Sequence, residues 1–359
     1  MQIRIPLFFW TLLLAVAPLQ AEKAGNTEKP SAPQRPRATV YAVNPPDGRA
    51  GRALTAPVAA AAVDRLVVAV TGKPTAAEAW KSLVKQGDRV GIKVSVTGSP
   101  TLATHPELLE AVLRGLELAG IPRTTVWVWD RDQEKLEAAG FKQRPGGYRL
   151  GWVAPFKGYD RKTFVTAPVI GKLVWGDVLF DRTLPKGLPG EVPLGDELSS
   201  NSHVAEILAK RVDKVINLPV LSEDSSCGIA GALYNMTVPN LDNWRRFVQP
   251  DGSGAESIAW AYSQPALGPK VVLHIMDCWT AQFAGGPQGD PHYLAQPGCI
   301  RASRDPVALD SAAFRQIEEW RVPAKLPPLS RQGAWLQTAQ SSGLGVADPE
   351  RIDLLTLSP

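Results

Sequence analysis

The feature that most constrains the fold is a strand–loop–helix unit near the C-terminal end of the chain. An apolar strand over 270–277 runs into Asp277 and is followed by a Gly-rich loop over 285–290. A helix then opens at Asp305-Pro306, an N-cap residue followed by proline at the first helical position. Polar groups thus gather where a strand ends, and open α/β folds bind their ligands at such places. The unit predicts an α/β fold with a cleft at this edge.

The same alternation of strands and helices recurs earlier in the chain. Apolar runs rich in β-branched residues predict strands over 87–96, 124–130 and 213–221. Residues 105–120 have the spacing of an amphipathic helix between the first two strands. A strand, a helix and a second strand form a right-handed parallel crossover. We therefore expect an α/β fold with a mainly parallel sheet flanked by helices.

Composition divides the chain into segments. Residues 22–55 are polar and rich in proline, glycine and alanine, which is typical of a flexible arm. The α/β domain is predicted over 56–320. Inside it, residues 141–200 carry many glycine, proline and aromatic residues and predict a small accessory lobe. A helix over 201–211 is expected to resume the α/β alternation, and residues 321–359 form a C-terminal extension.

The N-terminal residues predict a secretory signal peptide over 1–21. Arg4 precedes the apolar run IPLFFWTLLLAVAP, and the segment closes on Ala21. The alternative is an uncleaved membrane anchor, but the run is at the lower limit of spanning length and Pro18 interrupts its end. We expect export to the periplasm or the extracellular space. No other apolar run reaches spanning length, so stable membrane insertion after cleavage is not expected.

Charge and motifs exclude several classes of partner and cofactor. The net charge is +4 and the basic residues form no stripe, so nucleic acid is not an expected partner. The 3 cysteines form no CxxC pair, so an iron–sulfur cluster is not expected. No CxxCH motif or GxGxxG helix start is present, so haem and NAD are not expected either. A divalent cation remains the candidate cofactor.

The cysteines allow more than one arrangement. Cys227, Cys278 and Cys299 would form one disulfide and one free thiol in an oxidising compartment, or remain three buried thiols. The sequence does not decide the pairing. Cys227 is the candidate for a reactive thiol because it precedes a predicted helix, and a helix N-terminus lowers the pKa of a thiol.

Two carboxylates are the candidate catalytic and metal-binding groups. Asp277 lies at the carboxyl end of a predicted strand, where it could bind a metal ion or a substrate hydroxyl. Asp310 lies in the second turn of the last predicted helix, where capping does not explain a carboxylate. The alternative for Asp277 is a turn aspartate that accepts hydrogen bonds from its own loop.

The candidate substrate-binding groups lie around the same predicted edge. Gly285 and Gly286 could form an anion-binding nest of backbone N–H groups, although a plain tight loop is an alternative. His292 follows this loop and is the candidate site histidine. Asn217 and Asn235 are polar groups in apolar surroundings. They would either line the cleft or bridge elements inside the protein.

Seven short motifs follow one another along the chain in a characteristic order. They are VGIKVS, VWVWD, VDKVINLPVL, GIAGALYNM, VVLHIMD, FAGGP and SRDPVALD. Together they resemble one known family, the domain-of-unknown-function family 362. The resemblance covers roughly residues 86–320 in motif order and implies an α/β fold of Rossmann-like character. The family's biochemical activity is not generally established, and some members carry iron–sulfur segments.

This chain departs from the family pattern at several polar positions. Ser95 stands where the family strand has asparagine, and Tyr234 stands where the family has lysine before the retained Asn235. Ser222-Glu223-Asp224 replaces a lysine followed by a histidine or an aspartate, and Arg245-Arg246-Phe247 stands where a secreted subgroup has a histidine. Loss of two basic positions would weaken a phosphate or carboxylate site.

Two functions are therefore expected from the sequence. The first is an exported enzyme that acts on a small polar or anionic molecule in a cleft formed by Asp277, the 285–290 loop and Asp310. The second is a non-catalytic binding or scaffold protein that kept the fold and lost the chemistry. If Asp277 and Asp310 lie together in an open pocket the first is favoured, and if helix caps and turns occupy them it is not.

Overall fold

The computed structural model describes residues 36–44, 53–153, 158–166, 201–249, 252–329 and 331–358. The predicted signal peptide, the start of the N-terminal arm and most of the predicted accessory lobe lie outside the described residues, so export stays a prediction. Among the described helices, none is both long enough and apolar enough to cross a membrane.

The strands are rich in β-branched and aromatic residues, as expected for a sheet that is buried on both faces. They are β1 (Ala38–Val43), β2 (Val90–Lys93), β3 (Trp127–Asp130), β4 (Arg149–Trp152), β5 (Tyr159–Thr166), β6 (Asn201–Ala205), β7 (Lys214–Asn217), β8 (Val220–Ser222), β9 (Val271–Gln282), β10 (Leu294–Ala295), β11 (Cys299–Ser303) and β12 (Ile352–Leu357).

The helices begin at residues that suit an N-terminus, several of them with proline in the first turn. They are α1 (Ala56–Thr71), α2 (Ala76–Leu83), α3 (Pro106–Leu118), α4 (Gln133–Ala138), α5 (Ala232–Thr237), α6 (Glu256–Tyr262), α7 (Pro306–Arg321) and α8 (Trp335–Ser341).

One large sheet forms the centre of the domain, in the order β12-β1-β11-β9-β7-β2-β3-β4, with β8 and β10 paired to β9. The strands β9, β7, β2, β3 and β4 are parallel to one another. Only the pairings of β11 with β1 and β9, and of β10 with β9, are antiparallel among the described pairings of this sheet. The predicted α/β fold with a mainly parallel sheet is therefore confirmed.

The sheet separates two hydrophobic layers. Helices α1, α2 and α3 pack on one face, and helices α5 to α8 supply the layer on the other. Strand β9 shows the alternation that a buried strand requires. Leu273 and Ile275 lie in the layer with α1 to α3, while Met276 and Cys278 lie in the layer with α5 to α8.

Both predicted extensions contribute strands to the sheet. The N-terminal arm contains β1, which lies between β11 and β12, and its residue Val40 is fully buried. The C-terminal extension contains α8 and β12. The proline-rich residues on both sides of β1 hide its strand pattern in the sequence. Its backbone N–H and C=O groups find hydrogen-bond partners through pairing with β11 on one edge and β12 on the other. Residues Pro36–Pro359 accordingly form one compact unit.

The described part of the predicted accessory lobe contains two short strands. Arg149–Trp152 forms the edge strand β4 of the main sheet, and Tyr159–Thr166 pairs with Asn201–Ala205 in a separate antiparallel sheet. The helix expected over 201–211 is instead a strand followed by one π-helical turn at Ile207–Arg211. Pairing with β5 overrides the helical pattern here. The rest of the lobe predicted over 141–200 lies outside the described residues, and the lobe stays a prediction.

Candidate functional site

The Asp277 side chain is fully buried and its oxygens bind groups of the protein itself. Its Oδ2 accepts hydrogen bonds from the backbone N–H of His105 and from His105 Nδ1, both at 2.8 Å. Its Oδ1 accepts the Trp279 N–H at 3.0 Å. Because His105 is the N-cap residue of α3, Asp277 joins β9 to the start of that helix. This is the turn-and-cap role that the sequence left open.

The Asp310 side chain is also fully buried, but on the other face of the sheet. Its two oxygens accept the N–H groups of Ala232 and Leu233, at 2.6 and 3.0 Å. These are the first residues of α5, so Asp310 satisfies donors that the helix leaves unpaired. Desolvation raises the pKa of Asp310 to about 7.

The structure does not bring these two carboxylates together in one pocket. Asp277 faces α3, whereas Asp310 belongs to the layer of α5 and α7, and the sheet lies between them. Neither carboxylate has a free oxygen to offer an ion. In the part of the chain that the structure describes, no three His, Cys, Asp or Glu side chains gather closely enough to hold a metal ion.

A backbone N–H group of the Gly-rich loop is bound by another part of the protein. The Gly286 N–H donates to Glu223 Oε2 at 2.7 Å, and a Cβ at Gly286 would lie 1.8 Å from the Glu223 carbonyl oxygen. Gly285 has a left-handed backbone with φ of 75°. The loop is thus held by Glu223 and does not present an open nest. His292 is exposed at the surface and its Nδ1 contacts Asp290 at 2.9 Å.

Asn217 and Asn235 lie in a buried network of hydrogen-bonded polar side chains. They bridge elements inside the protein and do not line the cleft. Asn235 Nδ2 donates to Asn217 Oδ1 at 2.8 Å, and Asn217 Nδ2 donates to the Ala232 carbonyl oxygen at 2.9 Å and lies 3.0 Å from His274 Nδ1. His274 Nε2 lies 3.1 Å from Tyr262 Oη. Burial lowers the pKa of His274 to about 3, so the imidazole is neutral and accepts at Nδ1.

A buried ion pair at the ends of two adjacent parallel strands extends this network of hydrogen-bonded side chains. Lys93, the last residue of β2, places Nζ 2.6 Å from Asp130 Oδ1 at the end of β3. Nζ also donates to the Val94 carbonyl oxygen at 2.7 Å and to Asn235 Oδ1 at 3.0 Å. All three protons of the ammonium group are thereby used. Desolvation lowers the pKa of Lys93, and Asp130 opposes that shift.

Asp130 of this ion pair lines a cavity of about 220 Å³ at the carboxyl ends of β2 and β3. This is the place where parallel α/β sheets bind ligands. The lining residues come from the segments after β2 and β3, from the region after Gly231, and from the loop after Gly286. They are Val96, Thr97, Asp130, Arg131, Asp132, Lys135, Tyr234, Val238, Pro239, Trp244, Pro287 and Gln288.

Of the two aspartates in this cavity, Asp130 is bound at both oxygens and Asp132 at one, whereas Arg131 is bound weakly. Asp130 binds Lys93 and the Val96 N–H, and Asp132 caps α4 by accepting the Lys135 N–H at 3.1 Å. The Arg131 guanidinium lies over the Trp244 ring at 4.9 Å from its centroid. Its hydrogen bond to the protein is a long one, 3.5 Å from Nη1 to the Leu241 carbonyl oxygen. Among the described residues, the Arg131 guanidinium at the cavity therefore keeps N–H donors that have no acceptor.

A histidine–aspartate pair holds the segment that carries Trp244. Asp242 Oδ1 accepts the N–H groups of His203 and Asn243, both at 2.7 Å, and Asp242 Oδ2 lies 2.7 Å from His203 Nδ1. The Trp244 N–H in turn donates to the Asp242 carbonyl oxygen at 2.9 Å. These bonds tie the Trp244 segment to β6 and fix the wall on which Arg131 rests.

The domain family described as "Domain of unknown function (DUF362)" matches residues 90–315, which is more than half of the chain. This chain belongs to the DUF362 family. The matched region of this DUF362 protein includes the ion pair, the buried asparagines and all of the cavity residues. No curated protein matches the chain.

One solved structure is similar to this DUF362 protein. It is a crystal structure of a protein from Thermotoga maritima, a target of the Northeast Structural Genomics Consortium, with 12% sequence identity and a TM-score of 0.41. The similarity covers 77% of this chain and 61% of that chain, so this protein spans less than two thirds of the length of the solved one.

Proposed function

We propose that this DUF362 protein binds a small anionic molecule with an apolar body in the cavity at the carboxyl ends of β2 and β3. The observation that carries the proposal is the position of Arg131. Its guanidinium rests on Trp244 at 4.9 Å and, among the described residues, has one long hydrogen bond. An arginine held in this way keeps donors in a fixed plane for a carboxylate or phosphate group.

The charge balance of the cavity supports an anion over a cation. Lys93 neutralises Asp130, and α4 uses the side chain of Asp132. Lys135 Nζ donates to the Thr97 carbonyl oxygen at 2.6 Å and adds a second positive charge to the rim. A cation would meet the positive charges of Arg131 and Lys135, against the single exposed carboxylate of Asp132.

The rest of the wall supports an apolar body on the ligand. Val96, Val238, Pro239, Pro287 and Trp244 line the cavity. Pockets of this kind bury an apolar body and orient it with a few polar groups. An aromatic carboxylate combines both features, whereas inorganic phosphate offers only the charge.

Titration calorimetry tests the proposal with benzoate, citrate and inorganic phosphate as probes. We expect saturable binding of at least one of these anions and a loss of affinity of about tenfold or more in Arg131→Gln, because a charge-assisted hydrogen bond contributes about 1.5–3 kcal/mol. Arg149→Gln is the matched control, since Arg149 lies over Trp127 at 5.9 Å and does not line this cavity. Absence of binding, or equal loss in both variants, would refute the proposal.

An enzyme acting on the bound anion is the second candidate, and Glu223 is the observation that favours it. Desolvation raises the pKa of Glu223 to about 7, a value suited to proton transfer near neutral pH. Glu223 binds the Gly286 N–H, and the next two residues of that loop line the cavity. Conversion of a bound anion that is lost in Glu223→Gln while affinity persists would establish catalysis. Unchanged ligand after prolonged incubation would favour a binding protein.

A further inference from the structure

Two of the three cysteines lie directly opposite each other in the sheet. Cys278 in β9 and Cys299 in β11 are partners in the antiparallel ladder. Opposite residues in such a ladder have Cα atoms about 4.5–5.5 Å apart. This separation lies within the range of about 4.4–6.8 Å that disulfides require. The Cα separation of the pair therefore falls within the range that a disulfide bridges.

A charged side chain accompanies this pair. Arg301 lies two residues from Cys299 in β11, hence on the same face of the strand, and its positive charge lowers the pKa of Cys299. Arg301 is 5% exposed and its Nη2 donates to Gln316 Oε1 at 3.3 Å. Its Nε and Nη1 have no hydrogen-bond acceptor among the described residues. A buried cation with unused donors thus lies beside one member of the thiol pair.

The two thiols are expected to differ in reactivity. The neighbouring Cys278 thiol and the Arg301 charge lower the pKa of Cys299, against the opposing effect of burial. Burial raises the pKa of Cys278. Cys299 is 5% exposed, whereas Cys278 is fully buried. Because the thiolate is the nucleophile in disulfide exchange, Cys299 is the attacking residue and Cys278 the resolving one.

We propose that Cys278 and Cys299 form a reversible redox pair that is oxidised to an intramolecular disulfide by low-molecular-weight disulfides of the glutathione class. The Cys299 thiolate attacks one sulfur of the small disulfide, which forms a mixed disulfide and releases one small thiolate. Cys278 loses its proton and attacks Cys299 Sγ, which closes the protein disulfide and releases the second small thiolate. Two protein thiols are oxidised, one small disulfide is reduced to two thiols, and these take up the two protons.

The disulfide would close the segment between the two strands. This segment contains Pro287 and Gln288, which line the cavity, and the Gly286 N–H that binds Glu223. Oxidation would therefore fix both ends of the loop that forms one wall of the cavity. The redox pair rests on the ladder and on Arg301, and it does not depend on which ligand the cavity binds.

The test is thiol counting on the folded, full-length protein equilibrated with oxidised and reduced glutathione, followed by alkylation and non-reducing peptide mass spectrometry. Wild type and Cys227→Ser are each expected to lose two free thiols and to give one peptide that links Cys278 with Cys299. Cys278→Ser is expected to trap glutathione on Cys299. A wild-type protein that keeps all its thiols, or a link that includes Cys227, would overturn the proposal.

A comparison of two rates in the wild-type protein separates this reaction from global unfolding. Because it uses the wild type, it does not depend on whether the cysteine variants fold. Cys227 is fully buried and its Sγ donates to the Ile229 carbonyl oxygen at 3.3 Å, so its alkylation in wild type reports on opening of the core. Oxidation of Cys299 is expected to be faster than that alkylation. Arg301→Gln is expected to slow the oxidation several-fold at neutral pH, because less thiolate is present. Equal rates for Cys299 and Cys227 would contradict the proposal.

Discussion

Lys93 Nζ lies 2.6 Å from Asp130 Oδ1, and the Lys93 side chain is fully buried while that of Asp130 is 2% exposed. Each residue is the last of its strand, so the pair closes the carboxyl ends of β2 and β3 beneath the cavity. Asp130 also accepts the N–H groups of Val96 and Arg131, both at 2.7 Å. The ion pair thus shapes the backbone that places Arg131 at the cavity.

Breaking this ion pair from one side is expected to destabilise the fold strongly. Lys93→Met leaves the Asp130 carboxylate buried without its partner, and such losses amount to about 3–5 kcal/mol of unfolding free energy. Arg89→Met is the control, because the pair of Arg89 with Asp213 is more than half exposed and contributes about 0–1 kcal/mol. Urea unfolding of both variants measures the difference. Similar losses in the two variants would show that the buried pair has no special role.

Asp310 is expected to make the stability fall as the pH rises. Its folded pKa of about 7 lies above the ordinary value of 3.8, so the folded state binds more protons than the unfolded state between these values. The contribution to unfolding free energy therefore decreases from about pH 4 to pH 7, with a slope of at most about 1.4 kcal/mol per pH unit.

The variant Asp310→Asn isolates this contribution, because it removes one titrating group and leaves the others in place. Unfolding by urea at pH 5, 6 and 7.5 is expected to show a shallower fall in Asp310→Asn than in wild type. The comparison of slopes also cancels Glu223, whose raised pKa acts in the same direction. Parallel profiles would contradict the assignment.

Gly286→Ala is expected to destabilise the loop that borders the cavity. The added Cβ would lie 1.8 Å from the Glu223 carbonyl oxygen, so the backbone has to move. Overpacking of this kind costs about 1–3 kcal/mol or more. In Gly147→Ala, the nearest atom lies at 3.2 Å, and this variant serves as the milder comparison. A thermal midpoint for Gly286→Ala equal to that of Gly147→Ala would contradict the packing described for the loop.

Trp244→Leu is expected to separate the two features of the proposed ligand. Loss of the ring removes the surface on which Arg131 rests and one apolar wall of the cavity. Affinity for benzoate is expected to fall more than affinity for phosphate, because only benzoate uses the apolar wall. Calorimetry with both anions measures the ratio. Equal losses for the two anions would indicate that Trp244 acts only by positioning Arg131.

The sequence predicted the layers of the fold better than the site. Strands such as β2, β3, β7 and β9 are short apolar runs with turn signals at both ends, and that pattern is sufficient to identify them. Strand β1 was missed because its burial depends on β11 and β12, which are far from it in the sequence. The strand at Asn201–Ala205 was missed for the same reason, since β5 pairs with it.

The sequence predicts the location of the candidate site but not the residues that form it. The strand-end rule points to the carboxyl edge of the sheet, and the cavity lies there. The rule cannot tell which carboxylates are already used, and both Asp277 and Asp310 accept backbone N–H groups of distant helices. Asp130-Arg131-Asp132 follows a predicted strand and satisfies the same rule, so it was the available signal for Arg131. Trp244 had no such signal, because its position depends on Asp242 and His203.

The measurement that tests the central claim most directly is NMR of the indole N–H groups during titration with benzoate. Replacement of Trp244 by phenylalanine assigns its resonance, and replacement of Trp127 assigns a control that contacts Arg149 outside the cavity. We predict that the Trp244 resonance moves saturably with benzoate, that the Trp127 resonance does not, and that Arg131→Gln abolishes the movement. A Trp244 resonance that stays in place while benzoate binds elsewhere would contradict the account.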